Sequence, residues 1–313
     1  MIVEARDLRK EFVVRTKAGR FRRTRRTVAA VDGVDLGIEP GEMVGYLGPN
    51  GAGKSTTLKM LTGILVPSAG HVRVCGLAPV PERTRLTRRI GAVFGQRSQL
   101  WWDLPLADSF ALLRAVYRVG AADHARRLSE CVELLEMEPF LRTPVRQLSL
   151  GQRMRGELTA ALLHDPSLLF LDEPTIGLDV VSKEAVRGFL AELNQRYGTT
   201  LVLTTHDLAD IERLCGRLVV IDHGRVVHDG TLAALHARYG SRRRLVVELD
   251  SPGPPLSVPG ASTEVVEAEG RRQTLALDGP LPAVVAAVAA AAPLRDLRVV
   301  EPAIEDVIRK LWS

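Results

Sequence analysis

An α/β fold is predicted, with a helical insertion midway along the chain and a small α+β extension at its end. Three observations predict it. The runs Met43-Val44-Gly45-Tyr46-Leu47, Ile90-Gly91-Ala92-Val93-Phe94, Leu168-Leu169-Phe170-Leu171, Leu201-Val202-Leu203 and Leu218-Val219-Val220-Ile221 are continuously apolar, as parallel strands covered on both faces are. Helical segments separate these runs, which is the alternation of an α/β core. From Ser98 to about Gln147, and again past Gly230, that alternation breaks.

Taken in order, short strands around Ile2–Leu8 and Val34–Ile38 bracket a basic loop. The strand at Met43–Leu47 feeds Gly48-Pro49-Asn50-Gly51-Ala52-Gly53-Lys54-Ser55-Thr56, and a helix runs from there to about Gly63. A turn at Pro67-Ser68-Ala69-Gly70 leads to a strand near Val72–Val74. In the helical insertion, Leu128, Cys131, Val132 and Leu135 fall at i, i+3, i+4 and i+7 on one face. Past Gly230, Ser251-Pro252-Gly253-Pro254-Pro255 and Pro259-Gly260 interrupt short runs such as Leu245–Leu249. After Pro302 a last helix carries Ile304, Val307, Ile308 and Leu311 as one apolar stripe. These boundaries predict a main domain over 1–235, with a helical subdomain at about 97–165, and an accessory domain over 236–313 in which no chemistry is legible.

The chain has 313 residues, 46% of them hydrophobic and 25% charged, the balance of a soluble globular protein. No stretch of about 18 consecutive apolar residues exists, so no membrane span is expected. The longest candidate, Ala283 to Ala292, is closed by Pro282 and Pro293. The N-terminus shows no secretory pattern. Cys75, Cys131 and Cys215 are far apart and odd in number, which suits reduced thiols in a cytoplasmic protein. Net charge is +5, yet Arg15, Lys17, Arg20, Arg22, Arg23, Arg25 and Arg26 carry seven positive charges in one segment without an acid. Without those seven the total becomes −2, so no general nucleic-acid-binding surface is expected. The basic loop itself is either a solvated hairpin insertion or a contact for anionic lipid headgroups or an acidic partner.

The segment from Gly48 to Thr56 satisfies G-x-x-x-x-G-K-[ST]. Small residues there let backbone N–H groups curl around a phosphate chain, and the following helix N-terminus adds its dipole. Lys54 would reach the terminal phosphates and Ser55 would place its hydroxyl on Mg²⁺. A nucleoside triphosphate is the implied ligand. Leu168–Leu171 delivers Asp172-Glu173-Pro174 at its carboxyl end, where ligands of open α/β sheets bind. Asp172 would hold Mg²⁺ beside Ser55, and Glu173 would orient and polarise the water attacking the γ-phosphate. Gln96 follows the strand Ile90–Phe94, where its amide could meet metal and water; alone it reads as a solvated loop residue. His206 follows Leu201–Thr205 and could donate to the γ-phosphate; alone it reads as a helix-start residue.

Leu148-Ser149-Leu150-Gly151-Gln152 precedes the acidic pair and opens a helix through Arg153–Leu163. With Gly48–Thr56, Gln96, Asp172-Glu173, Ile176-Gly177-Leu178-Asp179 and His206 in this order, the chain closely resembles the ATP-binding cassette (ABC) family from about Met1 to Gly230. The resemblance implies a P-loop NTPase core with the helical insertion of an ABC nucleotide-binding domain, and ATP with Mg²⁺ as cofactors. It implies that Ser149, Gly151 and Gln152 form a signature loop that clamps the nucleotide of a second subunit in a head-to-tail dimer, with Asp179 crossing the seam. Phe12 matches the aromatic that stacks on adenine, although one Phe beyond a strand could equally be core. The commonest signature has Gly where this chain has Leu150. Gln96-Arg97-Ser98-Gln99-Leu100-Trp101-Trp102-Asp103-Leu104-Pro105 resembles a bacterial exporter-type subgroup related to drug and antibiotic efflux. There the segment after the glutamine docks on the membrane subunit; Trp101 and Trp102 suit either that contact or packing inside the insertion.

The implied function is the ATPase subunit of a membrane transporter, with export as the expected direction, peripheral on the cytoplasmic face of the inner membrane through a separate permease, with a homodimer as the expected assembly. An importer ATPase is the alternative within the class. A soluble cassette ATPase acting on ribosomes or DNA is the alternative outside it, and one cassette without a heptad array argues against that.

Overall fold

The computed structural model describes residues 1–17, 23–95, 98–205, 207–239 and 243–300. Gln96, His206, the centre of the basic segment and the helix expected after Pro302 lie outside them. The chain divides into two compact units, Met1–Leu232 and a second from Ala233 onward.

In the first unit, β1 (Val3–Lys17) pairs antiparallel with β2 (Arg23–Ile38), followed by β3 (Met43–Leu47), α1 (Lys54–Leu61), β4 (Ala69–Val74), α2 (Arg83–Leu86) and β5 (Ile90–Phe94). The insertion contributes α3 (Leu106–Tyr117), α4 (Ala121–Leu134) and α5 (Leu150–Leu162). Then come β6 (Leu168–Asp172), α6 (Val180–Tyr197), β7 (Thr200–Thr204), α7 (Leu208–Leu214), β8 (Arg217–Asp222) and β9 (Arg225–Gly230). The central sheet has the order β5-β6-β7-β3-β8-β9, parallel throughout except for the edge strand β9.

The continuous apolar runs are explained by this sheet having two covered faces. Successive side chains of a strand point to opposite faces. Leu169 and Leu171 of β6, with Leu201 and Leu203 of β7, enter a core shared with Phe110, Leu135, Met154, Leu158 and Leu190 of the helical layer. Leu168, Phe170 and Val202 enter the other core, with Leu58 and Leu61 of α1 and the three-stranded sheet β2-β1-β4. On α4, Cys131 is buried and Leu128 and Val132 pack partly against the first core, while Leu135, just past the helix end, is fully buried in it.

One expectation needs correcting. Sequence reading ends the first strand at Leu8, begins the second at Val34 and leaves the basic segment as a loop. Instead the ladder continues to Lys17 opposite Arg23, with Arg15 opposite Arg25 and Val14 opposite Arg26. Val13, Val14, Thr16, Thr24, Thr27 and Val28 supply the β-branched residues that suit a ladder. Because β4 pairs with β1 only as far as Arg9, the remainder is a two-stranded ribbon. Val13, Val14 and Val28 are all exposed on it, so no buried face imposes the alternation that marks strands in sequence.

The second unit opens with α8 (Leu232–Tyr239), which begins at the boundary, and holds β10 (Arg244–Leu249), β11 (Ala261–Glu267), β12 (Arg272–Leu277), α9 (Leu281–Ala291) and β13 (Leu294–Val300). Its antiparallel sheet has the order β11-β12-β10-β13. Leu245, Val247 and Leu249 of β10 alternate inward and meet Val284 and Val288 of α9. Buried Gln273 ties the proline-rich connection down, its amide donating to Pro254 O at 2.9 Å and accepting from Leu256 N–H at 2.7 Å.

Candidate active site

The phosphate loop leaves the middle of the sheet, since β3 lies between β7 and β8. Close packing dictates its glycines. A Cβ on Gly48 would stand 2.4 Å from the Ile221 carbonyl oxygen, and one on Gly53, at φ +107°, would stand 2.4 Å from the Ala30 carbonyl oxygen. Gly53 is the N-cap of α1 and no side chain caps it, which leaves first-turn N–H groups to face an anion. Asn50 and Gly51 are exposed at the loop's outer edge, and Ala52 accepts a bond from Gly224 N–H at 3.0 Å that fixes the loop to the β8–β9 turn. Lys54 is 7% exposed, and its Nζ donates to Gly48 O at 2.5 Å and Pro49 O at 3.2 Å. Burial pushes its pKa down, and the charges of Glu173 and Asp172 oppose that shift.

Asp172 ends β6 in register with Phe94 of β5 and Thr204 of β7. Its Oδ1 accepts from Ser55 Oγ at 3.2 Å and from Thr204 Oγ1 at 2.5 Å. Ser55 and Asp172, separated by more than a hundred residues in sequence, are therefore brought together. Glu173 N–H donates to Thr204 O at 2.9 Å, while the residue itself takes a left-handed φ of +55°. A non-glycine residue held there costs about 1–3 kcal/mol, and such strain concentrates at functional sites. Ser55, Lys59, Ile64, Phe94, Gly95, Asp172, Glu173 and Ile176 line a cavity of about 310 Å³. Gly95, the last described residue before Gln96, is part of this lining.

Two hard oxygen donors, a hydroxyl and a carboxylate, converge beside a phosphate loop. That set fits Mg²⁺, which takes one or two protein ligands and completes its shell with phosphate oxygens and water. Among the described residues no group of three or more His, Cys, Asp or Glu could hold a metal alone. The metal set fits only with nucleotide present.

The signature residues do not line that cavity. Ser149 is the N-cap of α5, its Oγ accepting from Gln152 N–H at 3.2 Å while Gln152 Oε1 accepts from Ser149 N–H at 2.9 Å. This capping box satisfies two orphan donors and gives Gln152 a local task that the sequence reading did not give it. A Cβ on Gly151 would meet Ser182 Oγ at 2.5 Å, so α5 and α6 start side by side. Leu150, the departure from the commonest signature, lies over Gly177, where a Cβ would come within 3.0 Å of its Cδ2. Asp179 caps α6, accepting from Ser182 N–H and Oγ, each at 2.8 Å, and these bonds hold its carboxyl below the usual carboxylate range.

Phe12 is exposed on the ribbon, with Lys10 Nζ 5.3 Å from its ring centroid, so the reading of Phe12 as core does not hold. Trp101 and Trp102 are 40% and 52% exposed, and Arg153 stands over the Trp102 ring at 5.9 Å. Packing inside the insertion therefore does not account for them. Sequence reasoning missed Thr204, whose only local sign is its place at the end of the β7 run. It also missed buried Asp210, which has no local sign.

A glycine-rich strand-to-helix loop after β3, facing a carboxylate pair at the end of β6 with β7 between the two strands, defines a nucleoside-triphosphate hydrolase of the P-loop class. The family model described as ABC transporter matches residues 31–176. The Nod factor export ATP-binding protein I of Burkholderia pseudomallei (strain K96243) is 40% identical over 227 residues, covering 72% of this chain and 72% of that one. The daunorubicin resistance ATP-binding protein DrrA3 of Streptomyces coeruleorubidus is 38% identical over 218 residues, covering 70% and 68%. Across relatives of these kinds the chain spans from 65% to 72% of their length. The solved dimeric post-hydrolysis state of the ATP-binding cassette MJ0796, bound to ADP and Pi, superposes with a TM-score of 0.62 at 29% identity, covering 74% of this chain and 98% of that one. The chain belongs to the ABC transporter family: it is an ATP-binding cassette and an ATP hydrolase.

Proposed function

We propose that this chain is the ATP-hydrolysing subunit of an exporter, acting on a separate integral-membrane permease. The observation that carries the reading is the convergence of Ser55, Asp172 and Glu173 on one cavity beside Lys54, while Ser149 and Gly151 stand outside it. Half a site therefore faces the nucleotide and the other half faces away, toward a second copy. No helix among the described residues is long and apolar enough to cross a membrane, so a separate permease fits. The relatives' names, Nod factor export and daunorubicin resistance, favour export over import.

In this reading Lys54 and the loop N–H groups hold the β- and γ-phosphates, and Phe12 stacks on adenine. Ser55 and Asp172, with Gln96, would hold Mg²⁺, which would supply positive charge against the charge developing on the phosphates. Glu173 orients the attacking water and takes its proton, and His206 donates to the γ-phosphate. A partner's Ser149 hydroxyl and helix N-terminus close over the triphosphate, and Asp179 spans the seam. ATP thus shifts the pair toward a closed state and hydrolysis releases it. Exposed Trp101 and Trp102 suit an anchor on the permease.

Action in trans is tested by complementation. S149R is expected to bind ATP normally yet be silent in hydrolysis, and K54A silent through weakened binding and the missing cation at the phosphates. Mixed in equal amounts they should regain turnover, because each mixed pair keeps one intact composite site. A mixture as silent as its parts would sink the trans assignment.

The basic ribbon supports a contact with anionic lipid. Like charges stand opposite one another on it, an arrangement that destabilises a ladder, and exposed Arg25 and Arg26 have no acidic partner among the described residues. Replacing the seven cations with Gln should weaken binding to phosphatidylserine vesicles by roughly 1 kcal/mol per charge at the surface, leaving ATP turnover in detergent unchanged. Equal binding by both proteins would remove the lipid contact.

A further inference from the structure

Asp210, on α7, is fully buried, and nothing assigned so far uses it. Its oxygens are nonetheless divided among three segments of the chain. Oδ2 accepts from Thr175 Oγ1 at 2.5 Å and from Thr205 Oγ1 at 3.1 Å. Oδ1 accepts from Arg187 of α6 at 2.6 Å through Nε, and the guanidinium's second arm lies at 2.5 Å. Thr175 stands two residues after Glu173, and Thr205 immediately precedes His206. Arg187 belongs to the helix that Asp179 caps. One carboxylate therefore ties together the segments bearing the water-orienting acid, the γ-phosphate histidine and the seam aspartate.

The surrounding bonds make the brace stiffer. Asp207 N–H donates to Thr205 Oγ1 at 2.9 Å, a second bond on the same hydroxyl. Lys183 Nζ binds Asp207 Oδ2 at 2.6 Å, so α6 grips the same turn a second time. Glu173 N–H binds Thr204 O, and Ile176 N–H returns to Glu173 O at 3.3 Å. A buried carboxylate is expensive to desolvate, and a well-packed apolar pair would hold α6 against α7 as firmly. A hydroxyl hydrogen bond adds what apolar packing lacks: a fixed direction for each of two backbone turns.

We propose that Asp210 is a positioning residue for hydrolysis, setting the turn after Glu173 and the turn before His206 relative to each other through the Thr175 and Thr205 hydroxyls. The proposal rests on the roles given above to Glu173 and His206. It acts on the transition state and not on nucleotide affinity, since Asp210's hydrogen bonds among the described residues run to Thr175, Thr205 and Arg187 and not to the phosphate loop.

The test uses the full chain and near-isosteric pairs. T175V and T205V remove a hydroxyl while keeping volume, and T175S and T205S keep the hydroxyl. Each valine variant should lower kcat about 10- to 100-fold, the effect of a misplacement near 1 Å, with the Kd for ATP unchanged within twofold and each serine variant near wild type. The double variant T175V/T205V should be little worse than either single one, since the two act as a unit. Melting temperature is recorded for every protein. Unchanged kcat in both valine variants overturns the proposal, as does a loss that tracks the melting temperature or recurs in the serine variants. E173Q is measured alongside: if it turns over normally, the role of Glu173 fails; if it is silent while the valine variants run at full rate, only the brace fails.

Discussion

E173Q is expected to bind ATP as the unsubstituted chain does, to lose turnover by about 10²- to 10⁴-fold, the range for removing a general base, and to accumulate as a nucleotide-bound dimer. Glu173 follows Asp172 at the carboxyl end of β6, lines the same cavity as Ser55 and is held in a left-handed turn by its N–H bond to Thr204 O. Glutamine preserves the volume and the backbone bond but accepts no proton at neutral pH. The metal ligands and the Lys54 ammonium stay in place, so binding survives while the chemical step fails. Turnover, measured with ATP affinity and with dimer content by size-exclusion chromatography, checks all three parts. Normal hydrolysis by E173Q would take the role of base away from Glu173.

What the sequence discloses here depends on how local the cause is. The phosphate loop is legible because its glycines answer to contacts within a single strand-turn-helix unit, as the Gly48 and Gly53 clearances illustrate. The five parallel strands are legible because burial on both faces makes their runs apolar throughout. The ladder that runs on past Arg9 and Asp32 is not, because Phe12, Val13, Val14 and Val28 are exposed on it and no buried face imposes alternation. Thr204 and Asp210 are hidden for another reason. Thr204 matters through a bond to Asp172, and Asp210 through bonds to Thr175, Thr205 and Arg187; each is made in space by strand order and helix packing. Leu150 is intermediate: its departure is visible in sequence, whereas Gly177 as the surface that receives it is visible only in the fold.

K54A should raise the Kd for ATP about 10- to 100-fold, which corresponds to losing about 1.5–3 kcal/mol, the range for a hydrogen bond to a charged group. The fold accounts for why the effect falls on binding. Lys54 is almost wholly buried, and its ammonium is held to the Gly48 and Pro49 carbonyls inside the loop. Desolvation lowers its pKa, and the charges on Glu173 and Asp172 counter that shift. A triphosphate brings more negative charge against the same ammonium, so binding and the charged form of Lys54 support one another. Alanine removes the cation while leaving Gly53 as the cap and the N–H cradle intact, so residual affinity should remain and a melting temperature near that of the parent is expected without nucleotide. With saturating ATP the parent should gain thermal stability by mass action and K54A should gain less at the same concentration. Equal affinity in the two proteins, by calorimetry or by this thermal shift, would contradict the phosphate-loop assignment on which every other role at the site depends.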